Sequence, residues 1–175
     1  MNLSDERLIA LVLISNDHKA YGELVLKYQS DVRGLFIKLT DGNKALADDL
    51  AQDVFIRAYK YLKTFKATAG FSTWLYRISY NVFIDYTKSL KKTDNIEGFD
   101  CISDDHKDVA SEIDMQNALK VLKENEKVVI LLHYDKGYSH HEIAKMIDMP
   151  LGTVKTNILR AKEKLKKYYN YEQNR

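Results

Sequence analysis

The sequence has little of what interrupts or staples a chain: one proline, one cysteine and seven glycines in 175 residues. The single cysteine, Cys101, excludes an internal disulfide framework and a cysteine-based zinc site. So few prolines and glycines argue against a turn-rich β-sandwich or barrel and favour long helices. No apolar run is long enough to span a bilayer, and the polar start, which carries Asp5 and Glu6, does not resemble a signal peptide. We therefore expect a cytoplasmic chain without membrane insertion.

Charged residues are distributed unevenly, although the net charge is only +2. Residues 94–114 contain eight acidic and one basic side chain, whereas residues 150–175 contain seven basic and two acidic ones. A second basic stretch, residues 57–66, has four basic side chains and no acidic one. Two basic zones separated by an acidic segment are compatible with two contacts to a polyanion. Charge alone favours the simpler interpretation that lysines keep helix surfaces soluble.

Apolar side chains recur at helical spacing through the N-terminal half. Ser4 is placed to cap a first short helix, and a second is predicted over residues 20–39. A third carries one apolar stripe from Leu46 to Phe65, and a fourth covers residues 72–91. Residues 40–43, Thr-Asp-Gly-Asn, predict a turn.

Helical periodicity fails over residues 93–111, where apolar content falls and Gly98 interrupts the pattern. This composition is typical of a linker. Order is predicted to resume at Ser111, and the apolar run that follows ends before a turn at Gly137. We therefore predict an all-α protein with two helical domains, residues 1–92 and 112–175, joined by a flexible acidic linker, residues 93–111.

Residues 138–167 carry a pattern typical of a helix-turn-helix. Ser139 followed by Glu142 predicts a capping box and hence a helix start. Pro150 suits the first position of the next helix, where its missing N–H is not needed. That helix has a buried stripe beginning at Val154 and an opposite side with these polar and basic residues: Thr153, Lys155, Thr156, Asn157, Arg160, Lys164 and Lys167. Such a helix fits a DNA major groove; an amphipathic hairpin with a solvated basic face is the alternative that periodicity leaves open.

The residues of this segment also resemble a known family. The runs Gly-Tyr-Ser-His-His-Glu-Ile-Ala at 137–144, Met-Pro-Leu-Gly-Thr-Val-Lys-Thr at 149–156 and Arg-Ala at 160–161 are similar to the C-terminal domain of sigma-70-family factors. The resemblance implies that this domain binds the minus-35 promoter element through Ser139, Thr153, Lys155, Thr156, Leu159 and Arg160. It also implies that the apolar helix around residues 128–132 docks on the flap of RNA polymerase. Where the family usually has glycine at the interhelical turn, this chain has Asp148, which tolerates the left-handed conformation better than most residues.

Two N-terminal segments resemble the same family. Residues 48–59, Asp-Asp-Leu-Ala-Gln-Asp-Val-Phe-Ile-Arg-Ala-Tyr, are similar to its core-polymerase-binding helix, and residues 71–81, Phe-Ser-Thr-Trp-Leu-Tyr-Arg-Ile-Ser-Tyr-Asn, to its promoter-melting helix. The first implies docking on the beta and beta-prime subunits of core polymerase through Asp49, Gln52, Asp53, Phe55 and Arg57. The second implies binding to the minus-10 element and to melted DNA through Lys63, Lys66, Thr68, Phe71, Thr73, Arg77 and Asn81.

Physical chemistry is consistent with a role in DNA melting for the second segment, because aromatic and polar groups beside cations can trap unstacked bases. Trp74 is nevertheless expected in the core, since a lone tryptophan at helical spacing is usually buried. The spacing leaves Phe71 and Tyr76 open between core and DNA.

Together these resemblances imply a sigma factor of the extracytoplasmic-function type, which directs promoter-specific transcription initiation. The implied partners are core RNA polymerase, promoter DNA and an anti-sigma factor. The family's acidic linker threads the RNA exit path of polymerase, although a merely disordered tether explains the sequence equally well.

The sequence shows no motif for catalysis. It contains no glycine-rich phosphate loop and no Gly-x-Ser-x-Gly. His141-Glu142 begins like a zinc-protease motif, but Lys145 stands where the second histidine is required. His140 and His141 point about 100° apart on a helix. We therefore expect no enzyme activity, no cofactor and no metal. A helix-turn-helix regulator that acts without polymerase and a decoy that occupies polymerase without starting transcription are the competing hypotheses.

Overall fold

The computed structural model describes residues 3–93 and 110–173, and every regular element in these two stretches is helical. The elements are α1 (Asp5–Ser15), α2 (His18–Leu39), α3 (Lys44–Tyr61), a 3-10 helix (Leu62–Thr64), α4 (Phe71–Thr93), α5 (Ala110–Lys120), α6 (Glu124–Tyr134), α7 (His140–Met146) and α8 (Leu151–Gln173). The predicted all-α fold is confirmed. Within the same stretches, no helix has the length and apolar character needed to cross a bilayer.

Some helix ends differ from the prediction. The apolar stripe predicts a third helix that reaches Phe65, but α3 ends at Tyr61 and the chain tightens into the 3-10 helix. Helix α4 continues to Thr93 and α5 begins at Ala110, so both ends of the predicted linker are helical. The rest of that linker, with Cys101, lies outside the described residues.

Helices α1 to α4 form an N-terminal unit. Side-chain caps start two of them: Asp17 accepts hydrogen bonds from the N–H groups of Lys19 and Ala20, and Asn43 accepts one from Leu46 at 3.0 Å. Ser4 occupies the cap position of α1 but makes no side-chain bond there. Helix α2 packs against α1 and α3, and α3 packs against α4. The most deeply buried large side chains include Leu24, Phe36, Val54, Leu62 and Leu75.

Helices α5 to α8 form a C-terminal unit in which α6 and α7 pack against α8. Glu126, on α6, is buried, and its carboxylate accepts hydrogen bonds from the Lys123 N–H at 2.9 Å and from Lys164 Nζ at 2.7 Å. Burial raises the pKa of Glu126, but the Lys164 ammonium and the Lys123 N–H together hold it below its usual value. This ion pair therefore fixes α6 against α8.

The two units are in contact, because α6 and α7 pack against α2 and α4. Their buried apolar residues form one continuous cluster rather than two separate cores. The sequence predicts two domains but not how they are arranged.

Candidate nucleic-acid interface

A cleft of about 810 Å³ lies between the end of α3, the loop at 65–70, the first half of α4 and α7. It brings together five of the residues predicted to contact DNA: Lys66, Thr68, Thr73, Arg77 and Asn81. The side chains of Tyr61, Trp74, Tyr138 and Lys145 also line it. Aromatic rings beside cations are the groups that bind unstacked bases and their phosphates. The cleft therefore has the chemistry to hold single-stranded nucleic acid.

Packed aromatic rings support the loop that forms one wall of the cleft. The Phe71 ring lies 5.3 Å from the ring of Tyr28, 5.7 Å from Phe65 and 5.5 Å from Trp74, measured between centroids. The Gly70 carbonyl accepts the Trp74 N–H at 3.2 Å, which joins the loop to the first turn of α4. These contacts fix the direction in which Thr73 and Arg77 leave α4.

Phe71 requires a correction. It is predicted to contact DNA, but it is only 3% exposed and belongs to the core. Tyr76 is buried as well. Trp74, expected in the core, is half-buried: it packs on Phe65 and Phe71, and it also lines the cleft. Lys63 is exposed on the 3-10 helix but does not line the cleft.

Helix α8 has the two faces that its sequence predicts. Val154, Ile158 and Ala161 are buried in the C-terminal unit and fix the helix in place. The opposite face is exposed and contains these predicted DNA-binding residues: Thr153, Lys155, Thr156, Leu159 and Arg160. Leu159 is 58% exposed. Lys164, which the sequence places on this face, instead reaches back to Glu126.

The first capping box and the turn of the helix-turn-helix are as predicted, whereas the start of the second helix differs by one residue. Ser139 and Glu142 form the capping box at the start of α7, with the Ser139 Oγ accepting the Glu142 N–H at 3.3 Å. Asp148 adopts the left-handed conformation, with φ at 54°. Pro150 lies one position earlier than predicted, because α8 begins at Leu151 and the Pro150 carbonyl accepts the Val154 N–H at 3.0 Å.

A third surface lies on α3. Asp49 and Gln52 are exposed, and Asp53 forms an i,i+4 ion pair with Arg57 at 3.0 Å. Arg57 also donates to Asp85 of α4 at 2.7 Å, which holds the guanidinium at the edge of this face. These four residues share one side of the helix, as their spacing predicts.

Phe55 does not share that side. It is half-buried, and its carbonyl accepts a hydrogen bond from Tyr21 Oη at 2.5 Å. The residue that completes the face is Ile56, which the sequence analysis does not single out. It is 54% exposed, and it follows Gln52 by four positions and Asp53 by three. That spacing, together with an apolar side chain outside the buried stripe, was the available signal.

The rings of two histidines, one near the end of α6 and one at the start of α7, pack against each other. The rings of His133 and His140 lie 4.6 Å apart, and His133 Nδ1 donates to the Tyr138 carbonyl at 2.7 Å. Desolvation lowers the pKa of His140, and the nearby charges of His133, Lys155 and Lys162 lower it further. Over residues 3–93 and 110–173, no three metal-ligating side chains cluster.

Two family models match this chain. Residues 24–93 match the family model for sigma-70 region 2, and residues 112–165 match the model for sigma-70 region 4. The first match contains the cleft-lining part of α4 and the face of α3, and the second contains α7 and the exposed face of α8.

Curated relatives extend the similarity over almost the whole chain. The RNA polymerase sigma-H factor of Pseudomonas aeruginosa is 31% identical over 180 residues, which cover 93% of this chain and 92% of that protein. The ECF RNA polymerase sigma factor SigW of Bacillus subtilis is 33% identical over 168 residues, which cover 86% of this chain and 89% of that protein.

Solved structures show the same fold. The sigma factor RpoE, in complex with the anti-sigma factor NepR from Bartonella quintana, superposes with a TM-score of 0.70 at 22% identity, over 87% of this chain and 98% of that one. CnrH, in complex with the cytosolic domain of CnrY, superposes with a TM-score of 0.69 at 23% identity, over 95% of this chain and 97% of that one.

The chain therefore belongs to the sigma-70 family of RNA polymerase sigma factors. Within that family it belongs to the extracytoplasmic-function group. Its function is that of the family, promoter recognition and the initiation of transcription.

Proposed function

We propose that the three surfaces divide this function among them: α8 binds the minus-35 element, the cleft binds melted minus-10 DNA, and the α3 face docks on core polymerase. The observation that carries the proposal is the cleft, where Lys66, Arg77 and Asn81 lie beside Tyr61 and Trp74. The proposed boundaries are residues 1–92 for the N-terminal domain, 93–111 for the linker and 112–175 for the C-terminal domain.

At the minus-35 element, the N-terminal part of α8 enters the major groove. Lys155 and Thr153 contact phosphates and set the register, whereas Arg160 and Thr156 lie where base edges can be read. The exposed Leu159 side chain supplies an apolar contact of the kind that thymine methyl groups accept. Ser139 caps α7 with its side-chain oxygen, so its contribution to DNA binding is through the position of α7.

At the minus-10 element, the cleft traps bases that leave the duplex. Stacking of a base on an aromatic side chain contributes about 1–3 kcal/mol, which is comparable to the cost of unstacking one base. Arg77 and Lys66 bind the phosphates, and Asn81 offers donors and an acceptor to a base edge. The protein thus favours the open form of DNA by binding it, without catalysing a reaction.

At polymerase, the α3 face presents Asp49, Gln52 and Asp53 around the exposed Ile56. An apolar centre surrounded by polar groups is the usual organisation of a protein interface. Arg57, held by Asp53 and Asp85, lies at the rim of this face.

Three further features complete the proposal. The protein works in the cytoplasm, where promoter DNA and polymerase are found. It needs no cofactor and has no catalytic residue. An anti-sigma factor controls it, a proposal supported by two solved neighbours that are complexes with the anti-sigma factor NepR and with the cytosolic domain of CnrY.

The test is run-off transcription with core polymerase from the source bacterium and fragments of its genome. Specific transcripts that appear only when the protein is added support the proposal, and their start sites give both promoter elements. Arg160→Ala should reduce these transcripts about tenfold, because loss of a base-reading arginine costs about 1–3 kcal/mol.

The matched control for Arg160→Ala is Lys162→Ala. Lys162 is a cation on the same helix whose ammonium lies over the Tyr134 ring, and its loss should leave the transcripts unchanged. Polymerase binding without any transcript would favour a decoy. No polymerase binding at all would favour a regulator that acts on duplex DNA alone.

A further inference from the structure

The loop at 65–70, which forms one wall of the cleft, has open space on both of its faces. The cleft lies on one face, and a second cavity of about 200 Å³ lies on the other, between the loop and the first turn of α1. Thr68, Ala69 and Gly70 line both spaces. Residues 66–70 are all exposed. The middle of the loop therefore has little packing of its own, and its position depends on the residues at its two ends.

Aromatic side chains anchor these two ends. Phe65 and Phe71 flank the exposed part of the loop, and their rings meet edge to face with 5.7 Å between centroids. The Phe65 N–H also donates to the Leu62 carbonyl at 3.0 Å, which joins the loop to the 3-10 helix. Lys66 and Thr68, which line the cleft, lie between the two anchors. A displacement of either anchor therefore moves these two residues relative to the rest of the cleft.

The Phe71 anchor is held in turn by Tyr28 of α2. The two rings lie 5.3 Å apart between centroids, and the Tyr28 hydroxyl donates a hydrogen bond to Asp5 Oδ2 in the first turn of α1. Burial and the neighbouring Asp5 carboxylate raise the pKa of Tyr28, so its hydroxyl stays protonated and acts as the donor. The Tyr28 ring is therefore fixed by Phe71 at its face and by Asp5 at its hydroxyl.

Both carboxylate oxygens of Asp5 are used for contacts with α2. While Oδ2 accepts from Tyr28, Oδ1 accepts from Lys27 Nζ at 2.6 Å. The Asp5 side chain is only 18% exposed, and a hydrogen bond to a charged group is stronger where water is largely excluded. Helix α1 precedes residues 24–93, the part of the chain that matches sigma-70 region 2. That match therefore assigns no role to Asp5.

We propose that Asp5 is a positioning residue for the cleft and acts through Tyr28 and Phe71. It holds the loop at 65–70 in the place where Lys66 lines the cleft. Without the Asp5 carboxylate, the loop can relax toward the cavity behind it, and a trapped base loses part of its binding surface. The effect on DNA rests on the function proposed for the cleft, whereas the effect on the position of the loop does not.

The first test follows the loop in the free, full-length chain, without DNA. Trp74 is the only tryptophan of the sequence and packs on Phe65 and Phe71, so its fluorescence reports the position of both anchors. Asp5→Ala should shift the Trp74 emission to longer wavelength and increase its quenching by acrylamide, because looser packing admits water. Tyr28→Phe keeps the ring but lacks the hydroxyl, and it should produce the same two changes.

A double variant and a matched control make this test specific. Asp5→Ala/Tyr28→Phe should change the emission no more than either single variant, because both substitutions remove the same hydrogen bond. Glu6→Ala removes a carboxylate from the same turn of α1 and from the wall of the same cavity, and it should leave the emission unchanged. Urea unfolding checks that each variant is folded, and Tyr28→Phe carries the test if Asp5→Ala is not. Unchanged emission in the single variants, additive changes in the double variant, or an equal change in Glu6→Ala overturns the proposal.

The second test measures DNA opening by the complex with core polymerase. Transcription is compared between a duplex promoter mapped by the run-off assay and the same promoter with a non-complementary, already open minus-10 element. Asp5→Ala should reduce transcription from the duplex about fivefold, because loss of a hydrogen bond to a charged group shifts the loop toward positions that do not hold a base. The open template has no melting cost, so the variant should transcribe it as well as the unmodified protein does.

The two templates separate positioning from a general loss of structure. Equal losses on both templates, or an equal loss with Glu6→Ala, would mean that Asp5 only stabilises the fold and would overturn its positioning role. A shifted Trp74 emission with full transcription from the duplex overturns the link to DNA opening. Failure of the proposed function would be visible independently, as the absence of promoter-specific transcripts with the unmodified protein, and the Trp74 emission would still decide whether Asp5 positions the loop.

Discussion

Asp41 and Lys127 should contribute very unequally to the contact between the two units. Asp41→Asn removes the charge that pairs with the Lys127 ammonium but keeps the shape of the side chain. Asp41 lies in the left-handed conformation, with φ at 54°, which asparagine also tolerates. The variant should therefore leave the α2–α3 turn intact and leave Lys127 buried without its partner.

The free-energy cost of Asp41→Asn follows from how far the side chains of Lys127 and Asp41 are exposed to solvent. Breaking a fully buried ion pair from one side costs about 3–5 kcal/mol. Here the Lys127 side chain is 8% exposed and the Asp41 side chain 41%, so water reaches one end of the pair and lowers the cost to about 1–2 kcal/mol. That free energy shifts the balance between docked and separated chains by a factor of about 5–30. The chain should open rather than unfold, because separation lets Lys127 regain its hydration.

Lys127→Met should behave differently. It removes the buried charge together with the desolvation that the charge required, while Asp41 remains partly hydrated, so docking should be unchanged or strengthened. Asp31→Asn is a second control, because the Lys136–Asp31 contact is longer and Asp31 is more exposed. The assay is the distance distribution between spin labels at Ala45→Cys on α3 and Lys166→Cys on α8, both exposed positions, in a chain whose Cys101 is replaced by serine. Urea unfolding confirms that both units remain folded. Equal opening by Asp41→Asn and Lys127→Met, or no opening by Asp41→Asn, would refute this reasoning.

Three other predictions concern the surface of α3, the aromatic cluster and pH. Ile56→Asp should weaken binding to core polymerase about tenfold or more, as expected for the centre of an interface. Leu26→Asp, at another exposed apolar position, should leave binding unchanged. Binding of both variants is measured on surface-immobilised polymerase. Phe71→Ala should lower the free energy of unfolding, measured in urea, by about 3–5 kcal/mol, whereas Arg77→Ala, at an exposed position, should change it by less than about 0.5 kcal/mol. If Phe71→Ala lowered the free energy of unfolding no more than Arg77→Ala, Phe71 would belong to the DNA surface and not to the core. Because the pKa of Glu126 is lowered in the folded chain, its stabilisation is present above the ordinary glutamate pKa and lost as pH falls through the lowered value. Glu126→Gln should therefore flatten the acid side of the stability–pH curve, and an unchanged curve would contradict the role of the Lys164 pair.

The features that could be predicted from the sequence depend on interactions between residues close together in the chain. The capping box of Ser139 and Glu142, the left-handed Asp148 and the buried stripe beginning at Val154 involve residues a few positions apart, and the structure has all three. Helical periodicity likewise identified both ends of α2 and of α4 to within two residues. The exposed face of α8 follows from its buried face, since the two are opposite sides of one helix.

Only the tertiary structure decided which aromatic side chains face the cleft and how the two units meet. Phe71, Trp74 and Tyr76 have similar local patterns, but their surroundings come from other elements: Phe71 packs on Tyr28, Trp74 on Phe65 and Tyr76 on Tyr138. Lys164 looks like part of a basic face until Glu126, 38 residues away in the chain, is found beside it. The pairs that join Lys38 to Asp135 and Lys127 to Asp41 span 97 and 86 residues. No periodicity within one helix encodes such contacts, because they arise only when surfaces from distant parts of the chain complement each other in shape and charge.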